Sequence, residues 1–406
     1  MIRELTSDCV HCGFCLPTCP TYVLWHEEMD SPRGRIHLMD ARLDGTVTLN
    51  TTVTMHFDRC LGCMACMTAC PSGVRYDRLI ESTRDAVEQE HRRPAADRLL
   101  RGILFRTLPY PRRMRAALRL APLGRVVPMP RRFRPLVTMA PRWRAAGGVA
   151  ELTPAVGARR GRVGLLTGCV QSAVFPDVNR ATARVLAADG LEVVAPPQGC
   201  CGALSVHAGR LEEGKAFARE LMRAFGDVDL VVVNSSGCGS HLKELAWLLE
   251  DDEAAAFAGK VRDVGELLRD VPPRAQRHPL PLTVAMQDSC HLRHAQRLPL
   301  ASRTYLARIP GLEVVEPAEQ ELCCGSAGIY NIVQPEAARE LGERKAAAVL
   351  ATGASAFTSA NPGCLVQISS ALGRADHPLP ALHPIELVDA SIRGVSAGRL
   401  RAEARR

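Results

Sequence analysis

The sequence predicts an α/β protein in which a small N-terminal α-helical module precedes two tandem α/β repeats. Three observations support this prediction. A cysteine motif occurs twice before residue 72, an arginine- and proline-rich stretch follows it, and a strand–helix–strand pattern containing Cys-Cys-Gly occurs twice after residue 160. Strand–helix–strand order implies parallel sheets. We therefore expect domains over residues 1–90, 161–270 and 280–395, with a connector over residues 91–160.

The overall composition is typical of a globular protein of two or three domains. The chain has 406 residues, of which 47% are hydrophobic and 23% charged, and its net charge is +8. No apolar run approaches the roughly 18 residues that a membrane-spanning helix needs. The first eight residues contain no hydrophobic signal region. A cytoplasmic location is therefore the expectation.

All 16 cysteines fall into recognisable groups. Eight belong to the N-terminal motif pair and eight to the C-terminal repeats, so none is left over. In a reducing compartment, such grouping indicates metal or cluster ligation rather than disulfide bonds.

The N-terminal motif fits C-x2-C-x2-C-x3-C-P in both copies, which begin at Cys9 and at Cys60. This run holds [4Fe–4S] clusters in bacterial ferredoxins, where the fourth cysteine of each run ligates the other cluster. Structural zinc and disulfides are the alternatives, but two complete copies favour two [4Fe–4S] clusters. The expected ligands are Cys9, Cys12, Cys15 and Cys70 for one cluster, and Cys60, Cys63, Cys66 and Cys19 for the other.

A helix is predicted between the two motifs. Ser31 is followed by proline, the combination that typically begins a helix, and the helix should extend to about Leu43. A further helix is predicted over residues 74–90. Helices here favour an α-helical ferredoxin-like module over a compact β-ribbon module. Arg33 and Arg35 either neutralise cluster charge or lie on a solvated helix face.

The connector is strongly basic. Between residues 91 and 144 it carries fifteen arginines and one acidic residue, Asp97, and its prolines are expected to divide it into short helices. Three interpretations are open: a solvated linker, a surface that docks on an acidic partner subunit, or a surface that contacts an anionic membrane. Nucleic-acid binding is not expected, because no recognised motif accompanies the charge.

The C-terminal repeats place their cysteines after predicted strands. In parallel α/β sheets the carboxyl ends of strands gather ligands, so each repeat should assemble one cysteine set. Each set combines a single cysteine, the adjacent pair of Cys-Cys-Gly and a fourth cysteine. The two predicted metal-binding sets are Cys169, Cys200, Cys201 and Cys238 in the first repeat, and Cys290, Cys323, Cys324 and Cys364 in the second.

Three interpretations are open for these cysteine sets: they bind a further iron–sulfur cluster, they bind zinc, or they are free redox-active thiols. Nearby residues offer substitute ligands, namely His241, His291 and His294, and Asp288 could act as a hydrogen-bond acceptor behind the ligands. There is no flavin or nicotinamide fingerprint and no convincing nucleophile–base pair. A chain with cluster motifs and no organic cofactor site is expected to move electrons for chemistry in another subunit, and no catalytic residue is assigned.

Several stretches together resemble the iron–sulfur subunits of bacterial glycolate dehydrogenase, also called glycolate oxidase. The stretches are Cys9–Cys15, Thr18–Tyr22, Ser31–Ile36, Cys70–Tyr76, Ala181–Leu186, Gly199–Ala203, Ser235–Gly239 and Cys323–Gly328. The resemblance implies a complex whose flavin-containing dehydrogenase subunits oxidise glycolate, with FAD only in those partner subunits. It further implies that this subunit relays electrons toward a membrane quinone, in peripheral contact with the inner face of the cell membrane.

The Cys-Cys-Gly repeats also resemble those of heterodisulfide reductase, lactate-utilisation proteins and a subunit of anaerobic glycerol-3-phosphate dehydrogenase. The alternative function is therefore that of a related subunit with redox-active Cys-Cys-Gly sites. One departure bears on it: in heterodisulfide reductase each repeat ends in Cys-x-x-Cys, whereas His241 and Gln367 hold the last position here. The departure argues against disulfide reduction and favours a conventional cluster, zinc or an empty site.

Overall fold

The computed structural model describes residues 2–126, 130–141 and 147–405. Arg142 and Arg144 of the connector, and the side chain of Arg125, lie outside the described residues. Across the described part of the chain, no helix is both long and apolar enough to cross a membrane.

The N-terminal module is helical, as predicted. A single 3-10 turn at Glu28–Asp30 precedes α3. The helices are α1 (Ile2–Ser7), α2 (Pro20–Trp25), α3 (Pro32–Leu43), α4 (Thr51–Arg59), α5 (Ala65–Ala69) and α6 (Tyr76–Glu90). Phe57, Leu79 and Ile80 are fully buried and form the centre of its core.

The predicted helix between the cysteine motifs is confirmed. Ser31 caps α3, because its Oγ accepts a hydrogen bond from the Gly34 amide at 3.0 Å, and Pro32 is the first helical residue. Gly34 is required by close packing, since a Cβ there would lie 1.9 Å from the Glu28 carbonyl oxygen. The helix predicted over residues 74–90 begins two residues later, at Tyr76.

The connector forms longer helices than expected. They are α7 (Ala95–Thr107), α8 (Pro111–Val126) and α9 (Arg134–Thr138). Pro122 lies inside α8 instead of ending it, on the exposed side of the helix. The expectation that the prolines would leave only short helices is therefore wrong for α8, because packing of Met114 and Leu118 in a buried cluster outweighs the local preference of proline to end the helix.

The connector packs against the repeats through its apolar residues. Leu100, Leu104 and Phe105 of α7 share a buried cluster with Ile329 and Val333. Residues of α8 likewise pack on the helix that follows Cys169. One side of α7 and of α8 is thus part of the protein core, and the opposite side faces solvent.

The first repeat contains a five-stranded sheet in the order β1-β3-β2-β4-β5, in which only β1 is antiparallel. Residues 161–164 form the first part of β2. The elements are β1 (Leu152–Thr153), β2 (Gly161–Leu166), α10 (Cys169–Val174), α11 (Pro176–Ala188), β3 (Leu191–Val194), α12 (Ala203–Val206), α13 (Leu211–Phe225), β4 (Leu230–Val233), α14 (Ser236–Lys243), α15 (Leu245–Leu249), α16 (Asp252–Lys260), β5 (Val261–Asp263) and α17 (Val264–Asp270).

The second repeat contains a four-stranded parallel sheet in the order β7-β6-β8-β9. A π-helical turn at His291–Ala295 follows β6. The elements are β6 (Leu282–Met286), α18 (Ala301–Leu306), β7 (Leu312–Val315), α19 (Tyr330–Val333), α20 (Pro335–Ala351), β8 (Ala356–Thr358), α21 (Pro362–Arg374), β9 (Ala381–Leu382), α22 (Pro384–Ile392) and α23 (Ala397–Arg405). The predicted tandem α/β architecture is confirmed.

The two sheets share one hydrophobic core. Val163 and Val232 of the first sheet belong to the same buried cluster as Val284 and Leu382 of the second. Helices α11 and α22 pack between the repeats, where the Arg184 guanidinium pairs with a buried aspartate of α22 at 2.7 Å. The repeats are therefore fixed relative to each other, with the carboxyl ends of their central strands next to one cavity.

Candidate iron–sulfur and thiol centres

The cysteines of the first motif lie near the surface of the N-terminal module. Cys12 is exposed, whereas Cys9, Cys15 and Cys70 are half-buried. All four line one small cavity. Burial raises the pKa of the Cys9 thiol, and the neighbouring charge of Cys70 adds to the effect. The structure thus brings Cys70 to the first motif, although 55 residues separate it from Cys15 along the chain.

The second motif lies deeper. Cys60, Cys63 and Cys66 are buried, and so is Cys19 of the first motif. Burial raises the pKa of Cys66 well above its usual range, and the charges of Cys63, Cys60 and Cys19 raise it further. Each motif therefore places its last cysteine beside the other group, which is the exchange expected from the spacing.

One thiol of the second motif is electrostatically different from the others. Burial alone would raise the pKa of Cys60, but the guanidinium groups of Arg35 and Arg84 lower it below its usual value. Arg84 also donates hydrogen bonds to the carbonyls of Phe57 and Cys60. Two cations from different helices therefore favour the thiolate form of Cys60, the form that binds metal.

Arg35 is a buried cation, and Arg33 is not. The Arg35 side chain is 1% exposed and donates to the His56 carbonyl at 2.7 Å and to the Asp30 carboxylate at 3.3 Å. The Arg33 side chain is 28% exposed and pairs with Glu28 at 2.6 Å. Of the two interpretations given for these arginines, charge neutralisation near a cluster fits Arg35, and a position on a solvated helix face fits Arg33.

The two repeat sets face one shared cavity of about 240 Å³, which all eight of their cysteines line. The Sγ atoms of Cys169 and Cys200 are 3.5 Å apart, and those of Cys324 and Cys364 are 3.3 Å apart. Each predicted set is therefore brought together in space. The sequence predicted two separate sets, but it did not predict that both would open into one cavity.

The glycine of each Cys-Cys-Gly triplet fixes the local turn. Gly202 and Gly325 have φ values of +94° and +86°. A Cβ at Gly202 would lie 2.5 Å from the Gly214 carbonyl oxygen, and one at Gly325 would lie 2.8 Å from that of Ala338. Only glycine meets both requirements, so each triplet packs tightly against the helix that follows it.

The thiols of the repeat sets are coupled to one another. The hydrogen bond between Cys169 and Cys200 raises the pKa of Cys169 well above its usual range and lowers that of Cys200 well below it. In the second set, neighbouring Cys323 and burial raise the pKa of Cys324 to about 12. Metal binding requires thiolates, so a bound cation must displace these thiol protons.

Several polar groups around the cavity have no hydrogen-bond partner among the described residues. A buried polar atom without a partner costs about 1–3 kcal/mol, so these groups are suited to a bound molecule that accepts or donates hydrogen bonds. They include the Tyr330 hydroxyl and His207 Nε2, together with the side chains of Gln171, Ser236 and Ser289.

The four cysteines of each repeat set match the number of ligands that either a [4Fe–4S] cluster or a structural zinc ion takes. A tetrahedral zinc site would hold its sulfurs about 3.8 Å apart, and the Cys169–Cys200 and Cys324–Cys364 sulfur distances of 3.5 and 3.3 Å are close to that spacing. Among the described residues, no group of three or more His, Cys, Asp or Glu side chains forms a site for one metal ion. The chemistry of each set therefore fits an iron–sulfur cluster as well as zinc.

The predicted substitute ligands are mostly engaged elsewhere. His291 bonds the Ser240 hydroxyl and the Gly62 carbonyl, and His294 bonds a threonine hydroxyl and a backbone carbonyl, so both ring nitrogens of each are occupied. Asp288 accepts from two arginines, each at 2.9 Å, instead of a ligand. Of the three histidines, only His241 keeps a buried ring nitrogen without a partner in the described residues.

Three further residues near the cysteines had no motif to reveal them. Tyr330 lies between the second motif and the second repeat set. Glu81 bonds His207 at 2.7 Å beside the cavity, and burial raises its pKa to about 7. Lys345 is fully buried next to Cys324. Only Lys345 left a signal in the sequence, because it occupies the apolar stripe of α20.

Comparison with known proteins places this arrangement in a family. The model of a cysteine-rich domain matches residues 163–243 and 284–369, and that of a 4Fe-4S dicluster domain matches residues 8–74. A component of the CoM/CoB fumarate reductase of Methanothermobacter marburgensis is 33% identical over 56% of this chain and 46% of its own length.

Two relatives match nearly end to end. The probable glycolate oxidase iron-sulfur subunit of Bacillus subtilis is 38% identical over 90% of this chain and 89% of its own length. The glycolate oxidase iron-sulfur subunit of Escherichia coli is 37% identical over 96% of both chains. The chain therefore belongs to the family of glycolate oxidase iron–sulfur subunits.

Proposed function

We propose that this chain is the electron-transfer subunit of a multi-subunit glycolate, or 2-hydroxy acid, dehydrogenase. It accepts electrons from a flavoprotein subunit and delivers them toward a quinone-type membrane acceptor. The ligands are the two motif groups, with Cys70 in the first and Cys19 in the second, and the repeat sets hold further iron–sulfur chemistry. Iron–sulfur clusters supply one-electron transfer at potentials that charge, hydrogen bonds and solvent exposure adjust.

The observation that best supports this proposal is that the cysteine groups form a continuous series from the surface to the cavity. Cys12 is exposed, the group around Cys60 is buried, and Cys63 shares a buried apolar cluster with Cys323 of the second repeat. A series of neighbouring metal-binding groups that begins at the surface is what an electron relay requires.

The exposed end of this series has an apolar surface that suits a protein partner. Val10 and Phe14, which flank Cys12, are 69% and 65% exposed. Large apolar side chains exposed next to a functional group typically mark an interaction site. We assign this surface to the flavoprotein subunit, because docking there brings its flavin near the outermost cysteine group.

The outer face of α8 suits an anionic membrane surface. Met114 and Leu118 bury one side of the helix, while Leu120 and Leu123 on the other side are 62% and 63% exposed. Arg112, Arg113 and Arg119, which precede these leucines on the same helix, are exposed. Apolar residues between arginines are typical of helices that lie in the membrane interface. The only acid between residues 91 and 144, Asp97, already pairs with an arginine, so no negative charge there opposes anionic lipid.

The central experiment measures iron and acid-labile sulfide in the anaerobically purified chain, alone and with its flavoprotein subunit. The proposal expects at least about eight iron per chain. It also expects glycolate to reduce the clusters, seen by electron paramagnetic resonance, only when the flavoprotein is present. Iron near zero, or clusters that glycolate leaves oxidised in the complete complex, would refute the proposal.

The docking surfaces are tested separately. Phe14→Ser should weaken co-purification with the flavoprotein subunit, and Leu120→Ser with Leu123→Ser should weaken flotation with phosphatidylglycerol vesicles. Leu300→Ser is the control for both, because Leu300 is 65% exposed and belongs to the second repeat, outside both of these segments. Vesicle binding should also fall as salt rises, and equal binding to neutral phosphatidylcholine vesicles would exclude the membrane assignment.

A second candidate function is reduction of a disulfide at the repeat sets. The observation in its favour is that both sets open into one cavity large enough for a small molecule. Cys201→Ser and Cys324→Ser distinguish the two functions. Under electron relay they change the rate of acceptor reduction, whereas under disulfide chemistry they abolish turnover of an added disulfide and leave cluster reduction by glycolate intact.

A further inference from the structure

The two repeats can be aligned at the packing contact that each Cys-Cys-Gly triplet makes with the following helix. Gly202 packs against the Gly214 carbonyl, and Gly325 packs in the same way against the Ala338 carbonyl. Gly214 of α13 therefore corresponds to Ala338 of α20. Seven residues, or two helical turns, further along each helix, Leu221 corresponds to Lys345.

These corresponding positions are equally buried but chemically opposite. Leu221 and Lys345 both have 0% of their surface exposed. Leu221 packs in an apolar cluster with Cys201. Lys345 donates a hydrogen bond to the Glu319 carbonyl, and the described residues offer it no carboxylate partner. A buried ammonium is costly unless negative charge lies beside it.

The negative charge available to Lys345 is that of the second cysteine set. Ala346 and Val349, on the same helix as Lys345, share a buried cluster with Cys324 and Cys364, so α20 places the buried lysine beside this set. A bound metal group requires these cysteines as thiolates. Charge compensation would then offset the cost of burying the lysine.

The corresponding helix of the first repeat, α13, carries no buried cation. The neighbouring titratable group of the first cysteine set is His241, whose pKa burial lowers to about 4, so its ring is neutral at neutral pH. Arg84 and Arg101 also line the cavity. They serve other groups, because Arg84 donates to the Cys60 and His207 carbonyls and Arg101 faces Asp58.

We propose that Lys345 is the buried counter-cation of the group held by Cys290, Cys323, Cys324 and Cys364. The two repeat sets are therefore inequivalent, and the second has the higher reduction potential, since a nearby positive charge favours the reduced, more negative state. This inference rests on the proposed iron–sulfur content of the repeats. Lys345 acts on the bound group through its positive charge, and it forms no bond to the metal.

The test compares Lys345→Met with Lys215→Met in the full chain, purified anaerobically. Lys215 lies on α13, the corresponding helix of the first repeat, where it pairs with Glu212 at the surface. In addition to the signals of the two motif clusters, redox titration followed by electron paramagnetic resonance should show a further signal. Its midpoint potential should be lower in Lys345→Met than in the wild type. Alternatively, Lys345→Met should lose up to about four iron per chain. Lys215→Met should match the wild type in both measurements.

A charge-retaining variant separates electrostatics from packing. Lys345→Arg should restore the wild-type potential, which a purely structural role does not predict. Lys345→Leu, which introduces the residue of the first repeat, replaces Lys345→Met if the latter fails to fold. Unchanged potential and iron content in the neutral variants would overturn the inference. A wild-type chain with about eight iron and no additional signal would also overturn it but would leave the electron-relay function standing, whereas iron near zero would overturn both.

Discussion

Cys63 of the second motif and Cys323 of the second repeat belong to one buried cluster, together with Leu61, Leu322 and Tyr330. Burial raises the pKa of Cys63 well above its usual range, and the charge of Cys323 raises it further. The N-terminal module and the repeats are thus in electrostatic contact through cysteines. The two cysteines belong to groups that are separate in the sequence, and the fold brings those groups together.

Tyr330→Phe tests this junction. The Tyr330 side chain is buried, and its hydroxyl has no partner among the described residues. If the hydroxyl donates to a cluster sulfur, removing it should lower the midpoint potential of the neighbouring cluster, because a hydrogen bond to sulfur favours the reduced state. The measurement is a redox titration of wild type and variant. A potential identical in both would assign the hydroxyl no role at the junction.

Cys19→Ser and Cys70→Ser test the exchange of ligands between the motifs. We expect Cys19→Ser to lose the iron–sulfur cluster bound by the buried cysteines around Cys60 and to keep the cluster bound near the surface by the cysteines around Cys12. Cys70→Ser should do the reverse. Each variant should lose about four iron and a different spectroscopic signal. Loss of the cluster of its own motif in either variant would show that the ligands are not exchanged.

Arg35→Met should destabilise the N-terminal module by about 3 kcal/mol, because it removes one partner from a buried ion pair. The Asp30 carboxylate keeps Arg59 at 2.7 Å and His56 at 2.9 Å, so complete unfolding is not expected. Arg33→Met is the matched control on the same helix, and loss of its exposed pair should cost less than about 1 kcal/mol. Denaturant unfolding followed by circular dichroism measures both, and equal effects would contradict the assignment of Arg35 as a buried counter-ion.

The sequence predicted the parts of this structure that depend on local chemistry. The cap at Ser31 and the strand–helix–strand order of each repeat follow from spacing and periodicity within short segments, and the placement of Cys19 and Cys70 beside the opposite motif was expected from the ferredoxin cysteine spacing. What could not be predicted depends on contacts between distant segments. The shared cavity requires the two sheets to pack on one core, and the correspondence of Lys345 with Leu221 is visible only when α20 is compared in space with α13.

His383→Asn should flatten the acid-side dependence of stability on pH. His383 is fully buried at the start of α22, where its Nδ1 accepts a hydrogen bond from the Ile385 amide at 3.1 Å. Burial lowers its pKa from 6.5 to about 3. Above pH 6.5 neither the folded nor the unfolded state binds a proton here. As the pH falls from 6.5 toward 3, only the unfolded state binds one, so the folded state loses stability.

Asparagine preserves the cap acceptor and does not titrate. Between pH 7 and pH 5 the wild type should therefore lose about 2 kcal/mol that the variant keeps. The buried residues His207, His241 and His291 have pKa values lowered to about 4 by burial and contribute equally to both proteins, so the difference isolates His383. Unfolding free energies that change in parallel across this range would show that His383 is protonated in the folded state.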